Sequence, residues 1–385
     1  MDLNALLARV IEVGGSDLHL KVSSTPMGRV DGALVQIDDR VVTDADLEAV
    51  LGIITERTPA KREHFLASGE LDTAYIADTI GRFRVNGFRQ RGSISFALRY
   101  VPRVVPSFNK LGLPPGVEKL ANHLRGLILV TGATGSGKST TLGAMVDHIN
   151  RTRQQHIVTI EDPIEIVHDD WGCIVNQREI GLDTESYEQA LRRVLRQDPD
   201  VILIGELRDE ESACAALQAA ESGHLVLSTM HTMDAAETVG RLVEFFPAAK
   251  HAIVRQIVSG VLRGVVSQRL LPRVGGGRIV AAEVMVVTGR IADLIRDPTK
   301  TDEIRDAIEE GHYHLMQSFQ QQLVELVLEG LVDIDTAKGA ATNAHDFQIA
   351  VAHAVRARDS AVESSEAGAL RPAEGLGGLR LASSG

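Results

Sequence analysis

Ten residues, GATGSGKSTT from Gly132 to Thr141, limit what this chain can fold into more than any other stretch. Gly132, Gly137, Lys138 and Ser139 fill the fixed positions of G-x-x-x-x-G-K-[ST]. Glycines let such a loop curl until its N–H groups point at phosphate oxygens, and the following helix adds its positive end. The loop therefore needs a strand before it and a helix after it. LRGLILVTG and KSTTLGAMVDHIN supply both. The expected phosphate cradle is Gly132, Ala133, Thr134, Gly135, Ser136, Gly137, Lys138, Ser139 and Thr140. In that cradle Lys138 reaches the β- and γ-phosphates of ATP, and the Ser139 hydroxyl ligates Mg²⁺.

The rest of the composition excludes more than it assigns. At 385 residues the chain is long enough for two or three domains, and 44% hydrophobic with 24% charged residues is ordinary for a globular protein. A formal net charge of −12 argues against nucleic acid as the main partner. Cys173 and Cys214 make neither a disulfide framework nor a zinc pair. MDLNALLARVIEVGG lacks the basic start and apolar run of a signal peptide. No stretch approaches the ~18 uninterrupted apolar residues of a membrane span, so a cytoplasmic protein is expected.

Residues 1–100 alternate helix and strand signals. Leu3, Leu6, Leu7 and Val10 make a helical stripe, and Thr43 caps a second helix in TDADLEAVLGIITERT. In GRFRVNGF, Phe83 and Val85 face one way and Arg82, Arg84 and Asn86 the other. In SISFALRYV, Ile94, Phe96, Leu98 and Tyr100 oppose Arg99. A small sheet with arginines on its polar face follows. Residues 101–116 carry four prolines and read as a linker. From 117 to 350 the chain reads as α/β: LILVTG, HIVTIED, VILIGEL and LVLSTMH are short apolar strands of a doubly covered parallel sheet. After about residue 232 helices are expected to dominate, AAKHAIVRQIVSGVLRGVVSQRLL among them, with one strand, RIVAAEVMVV. Residues 351–385 are expected to form a disordered tail.

Ligands of open parallel sheets bind at the carboxyl ends of the strands, which selects the residues to inspect. HIVTI ends in Glu161 and Asp162, with Glu165 close behind. VILIG ends in Glu206, and LVLSTM ends in His231. Phosphoryl transfer to water requires a metal near the β- and γ-oxygens, an oriented water and positive charge on the γ-phosphate. Glu206 stands where a Walker B acid is expected, with Gly205 in place of the usual Asp. Either Glu206 or Glu161 fits the general base, and Glu206 also fits as a Mg²⁺ ligand. His231 fits a γ-phosphate sensor. His224 serves a structural role equally well, and two histidines alone do not make a metal site. Arg192, Arg193 and Arg196 read as one basic helix side.

In this order, DLHL, GRFRVNGF, GATGSGKSTT, TIEDPIEIVH, ALRRVLRQDPDVILIGELRD, GHLVLSTMHT and RLVEFFP resemble the secretion ATPase superfamily. Within it they are most similar to the type IV pilus retraction ATPases, the PilT family. That resemblance implies a PAS-like N-terminal α+β domain, a RecA-like P-loop ATPase domain and a homo-hexameric ring. It also implies that Arg84 and Arg99 reach the nucleotide, with Arg82 a neighbour. An inner-membrane platform protein is the implied partner, together with a paralogous retraction ATPase. Within GRIADLIRDPTK, Ile291, Leu294, Ile295 and Arg296 match the family's AIRNLIRE helix, while Asp293 and Asp297 replace Asn and Glu. Two other readings remain: an assembly or type II secretion ATPase, against which the missing four-cysteine insert counts, and a RecA-like nucleic-acid translocase, against which the acidic charge counts.

Overall fold

A run such as LILV, apolar at every position, cannot lie on a surface with one wet face. It must be a strand covered on both sides. In the computed structural model, which describes residues 1–369 with side chains through 358, this rule locates the larger of two sheets. Its strands β7 (Gly126–Thr131), β10 (Val201–Ile204) and β11 (Leu225–Met230) are buried throughout. With β8 (His156–Glu161), β9 (Ile174–Glu179), β12 (Leu262–Pro272) and β13 (Arg278–Val286) they run in the order β13-β12-β7-β11-β10-β8-β9. The pairs from β12 to β9 are all parallel, so every strand end in that stretch opens on one edge.

The smaller sheet holds β1 (Asp17–Lys21), β2 (Met27–Val30), β3 (Ala33–Gln36), β4 (Glu70–Ala77), β5 (Gly81–Gln90) and β6 (Ser93–Val101). It is antiparallel, in the order β3-β2-β1-β6-β5-β4. Its apolar face packs on helices Leu3–Glu12, Asp44–Ile54 and Pro59–Ser68 around Phe65, Phe83, Phe96 and Leu98. The leucine stripe of the first helix is buried as its spacing requires. Thr43 closes a capping box with Asp46 at the second.

Contacts divide the described chain into two compact units: residues Met1–Leu270 with Ala282–Ser318, and Leu271–Ala281 with the residues from Phe319 on. Both sheets take most of their strands from the first. The second has its own core, where Leu323, Leu326 and Val332 meet Phe347 and Val351.

Three sequence expectations change. The helix expected through AAKHAIVRQIVSGVLRGVVSQRLL stops at Val261, and Leu262 begins β12. At Gly264 any Cβ would stand 2.4 Å from Leu120 and 2.5 Å from the Met285 carbonyl, a closeness only a glycine strand permits. The tail expected from residue 351 instead continues a helix, Ala344–Ala369, because Phe347 and Val351 have a core to join. Its remainder from 370 lies outside the described residues. Helix Tyr187–Val194 ends before Arg196, so the three arginines do not share one helix.

Candidate functional site

The loop after β7 meets the backbone demands of a phosphate cradle. Gly132, Gly135 and Gly137 have φ of 138°, 80° and 95°, all left-handed, and helix Lys138–Thr152 starts directly behind them. A Cβ on Gly132 would stand 2.4 Å from the Gln268 carbonyl, so the loop can pass between β12 and its own turn only as glycine. Lys138 donates from Nζ to the carbonyls of Gly132 at 2.8 Å and Ala133 at 3.1 Å, curling back over the loop. Burial lowers its pKa, against the pull of the Glu206 and Glu165 carboxylates. Ser136 Oγ is buried without a hydrogen-bond partner. An orphaned hydroxyl, a left-handed glycine backbone running into a helix N-terminus and a lysine at the rim together suit a polyphosphate. Ser139 and Thr140 sit half-buried in the first helical turn. Ser139 and Glu206 offer oxygen donors of the kind Mg²⁺ takes. Among the described residues no group of three or more His, Cys, Asp or Glu forms a ready-made metal site.

Beyond the loop, Glu206 is held from three sides. The residue before it, Gly205, donates its N–H to Ile160 at 2.8 Å and accepts from Thr229 Oγ1 at 2.7 Å. Leu207 donates to the Thr229 carbonyl at 3.0 Å, so neighbouring strand ends fix the backbone on both sides of the carboxylate. The carboxylate itself lies between Arg208 Nε at 2.8 Å and His231 Nε2 at 3.1 Å. Placing His231 beside Glu206 is what the β10–β11 pairing does, since both residues follow adjacent parallel strands.

Glu161 ends β8 one strand further along. Thr159 Oγ1 donates to its Oε1 at 2.6 Å and Gln177 Nε2 at 3.1 Å. Burial still pushes its carboxyl above the ordinary value. A raised carboxyl is a stronger proton acceptor once ionised. Asp209, by contrast, closes a capping box with Ser212 and starts helix Glu210–Glu221. His224 joins its ring Nδ1 to Ser222 Oγ and the Ala219 carbonyl, closing the other end of that helix. Arg192 pairs with Glu188 and Glu211.

The arginines of the small sheet divide. Arg84 and Arg99 are cross-strand neighbours on β5 and β6, both exposed on the polar face the alternation calls for. Neither bonds the phosphate loop, and Arg99 donates to Asp17 at 2.8 Å. Arg82, expected only as their neighbour, is committed elsewhere: its Nη2 donates to Glu179 Oε2 at 2.5 Å at the end of β9. The same oxygen accepts the Ile164 amide at 3.1 Å, which ties the small sheet to the acidic segment behind Glu161. The matched residues of GRIADLIR are largely packing groups, with Ile291, Leu294 and Ile295 buried. Asp293 forms an ion pair with Arg296, which also donates to Ser259 at 3.1 Å.

Residues without a motif complete the site. Thr159 and Gln177 orient Glu161, and β9, which carries Gln177, is not among the strands expected from the sequence. Tyr187 reaches in from the start of its helix to Gly205. A capping signal, Ser186 followed by Gln189, marks that helix start, but nothing local reports where the ring points.

Comparison with known proteins agrees across nearly the whole chain. The family model for type II/IV secretion system proteins matches residues 1–338. The type IV pilus retraction ATPase PilT of Pseudomonas aeruginosa is 42% identical over 348 residues, which is 90% of this chain and all of PilT. The type IV pilus ATPase PilU of the same organism is 39% identical over 91% of each chain. A crystal structure of the pilus retraction motor PilT with bound ADP matches with a TM-score of 0.82 at 41% identity, covering 89% of this chain and 98% of that one.

Proposed function

The chain belongs to the type II/IV secretion system protein family, and from that membership we propose that it is an ATP-hydrolysing motor that powers type IV pilus retraction. One observation carries the reading. A complete phosphate loop, its Lys138 under the pull of Glu206, stands in a chain that aligns with a retraction ATPase over 90% of its length. No described helix is long and apolar enough to cross a membrane. In this reading the motor is a homo-hexamer on the cytoplasmic side that acts through a membrane platform protein.

The chemistry follows from the residues. ATP lies with its phosphates in the cradle from Gly132 to Thr140. Lys138 leaves the Gly132 and Ala133 carbonyls and turns to the β- and γ-oxygens. Ser139 and Glu206 would hold Mg²⁺, which neutralises charge on those oxygens when bound. Glu206 and Glu161 stand on neighbouring parallel strands, and either can take the proton of the attacking water. His231, bonded to Glu206, reports the terminal phosphate to the helix that follows β11. Arg84 and Arg99, on the polar face of the small sheet, supply positive charge to the nucleotide once the two sheets close on it. Hydrolysis then becomes a change of angle between sheets, which a ring can convert into force.

A second role, accessory to another retraction ATPase, rests on Asp293 and Asp297, which stand where the family's AIRNLIRE helix has Asn and Glu. Deleting the gene in its host separates the alternatives: accumulated pili mean retraction, absent pili mean assembly, and unchanged pili mean an accessory part. In the purified protein, Glu206→Ala should hold ATP without cleaving it, and wild-type turnover would move the base to Glu161.

A further inference from the structure

The Tyr187 side chain is absorbed by no motif, yet it ends in the centre of the site. An ideal Cβ on Gly205 would stand 2.7 Å from the Tyr187 hydroxyl oxygen. The same Cβ would stand 3.4 Å from the Ile160 carbonyl and 3.5 Å from Glu161 Cα. The hydroxyl therefore lies over the gap between the ends of β8 and β10, the two strands that carry Glu161 and Glu206. A side chain at 205 would therefore require the tyrosine hydroxyl to move. Among the described residues the hydroxyl has no hydrogen-bond partner, whereas Glu161 is bonded by Thr159 and Gln177 and Glu206 by Arg208 and His231. Asp162, Arg208, Glu161 and Glu206 all act on it electrostatically. Burial is the first cause that pushes its pKa above the ordinary tyrosine value, so at working pH it remains a neutral donor.

We infer that Tyr187 is a positioning residue for hydrolysis, its hydroxyl donating a hydrogen bond to the water that Glu161 and Glu206 hold for attack on the terminal phosphate. The inference rests on the ATPase reading above. A donor at the gap between these two strand ends restrains the water without competing for its proton, because both carboxylates are better acceptors than a neutral phenol. It contributes to the chemical step and little to nucleotide affinity, since the phosphates lie on the loop side.

The test is steady-state phosphate release by full-length Tyr187→Phe, with Gly205→Ala and the double variant beside it, together with the affinity of each for a fluorescent ATP analogue. One neutral hydrogen bond predicts a fall in kcat of about three- to tenfold, with KM and analogue affinity unchanged. Gly205→Ala, which displaces the hydroxyl, should lower kcat similarly, and the double variant should lose no more than either single one. Unchanged kcat in Tyr187→Phe, or a loss that falls on KM instead, overturns the inference. A wild-type protein that releases no phosphate overturns the ATPase reading itself, a result distinct from either.

Discussion

Arg82→Ala tests how the small sheet is joined to the acidic segment. The Arg82 side chain is 12% exposed and Glu179 is 3% exposed, with 2.5 Å between Nη2 and Oε2. Deleting one member of a buried ion pair costs about 3–5 kcal/mol, because the surviving charge stays buried without its counter-ion. Glu179 keeps the Ile164 amide at 3.1 Å, which offsets part of that cost and places the expectation at about 3 kcal/mol. With a urea dependence of about 3 kcal/mol per molar for a chain of this size, the midpoint falls by about 1 M. Arg84→Ala is the matched control, two residues along the same strand but exposed, and should shift stability by less than about 0.5 kcal/mol. Pairing Arg82→Ala with Glu179→Gln should show strong coupling, since the second change removes the charge that the first one strands. If Arg82→Ala unfolds within about 0.3 M of wild type, the buried pair is not what holds the sheets together.

Other expectations are more direct. Glu283, buried on β13, accepts the Ala235 amide at 2.8 Å, and burial pushes its carboxyl up to about 7. A folded-state value above the unfolded 4.5 means the folded chain binds the extra proton. Its contribution is therefore complete below about pH 4.5 and is lost as pH rises toward 7. Glu283→Gln should remove that decline and raise stability at pH 8 by up to about 3 kcal/mol relative to wild type, as read by urea unfolding at several pH values. Equal pH profiles for the two proteins would exclude a protonated Glu283. Arg84→Ala should lower hydrolysis at least about tenfold in a phosphate-release assay while leaving ATP affinity mostly intact. An unchanged rate would leave Arg84 a surface residue.

Much of this site could be read before any coordinates, and the reasons are physical. The phosphate loop is legible because its left-handed backbone admits almost nothing but glycine, so the chemistry and the letters coincide. Glu161, Glu206 and His231 are legible because parallel strands deliver their ends to one edge, a rule that needs only strand recognition. The polar face of Arg84 and Arg99 follows from a period of two. What escapes is whatever depends on a partner distant in sequence. β12 becomes a strand because β7 lies open beside it, although Leu262–Pro272 follows directly on a helical run. A helix runs on past 351 because Phe347 and Val351 find a core. Arg82 and Arg84 look alike in GRFRVNGF, and only the end of β9 distinguishes them. Tyr187 opens an ordinary amphipathic helix, and only the backbone of Gly205 shows where its hydroxyl ends.

Release of inorganic phosphate from ATP with magnesium, by the purified chain and by Lys138→Ala, tests the central claim most directly. Hydrolysis by the first and none by the second is the predicted result, because positioning and charge neutralisation at the terminal phosphate are most of this catalysis. Equal rates in both proteins, or no nucleotide bound by either, would contradict it.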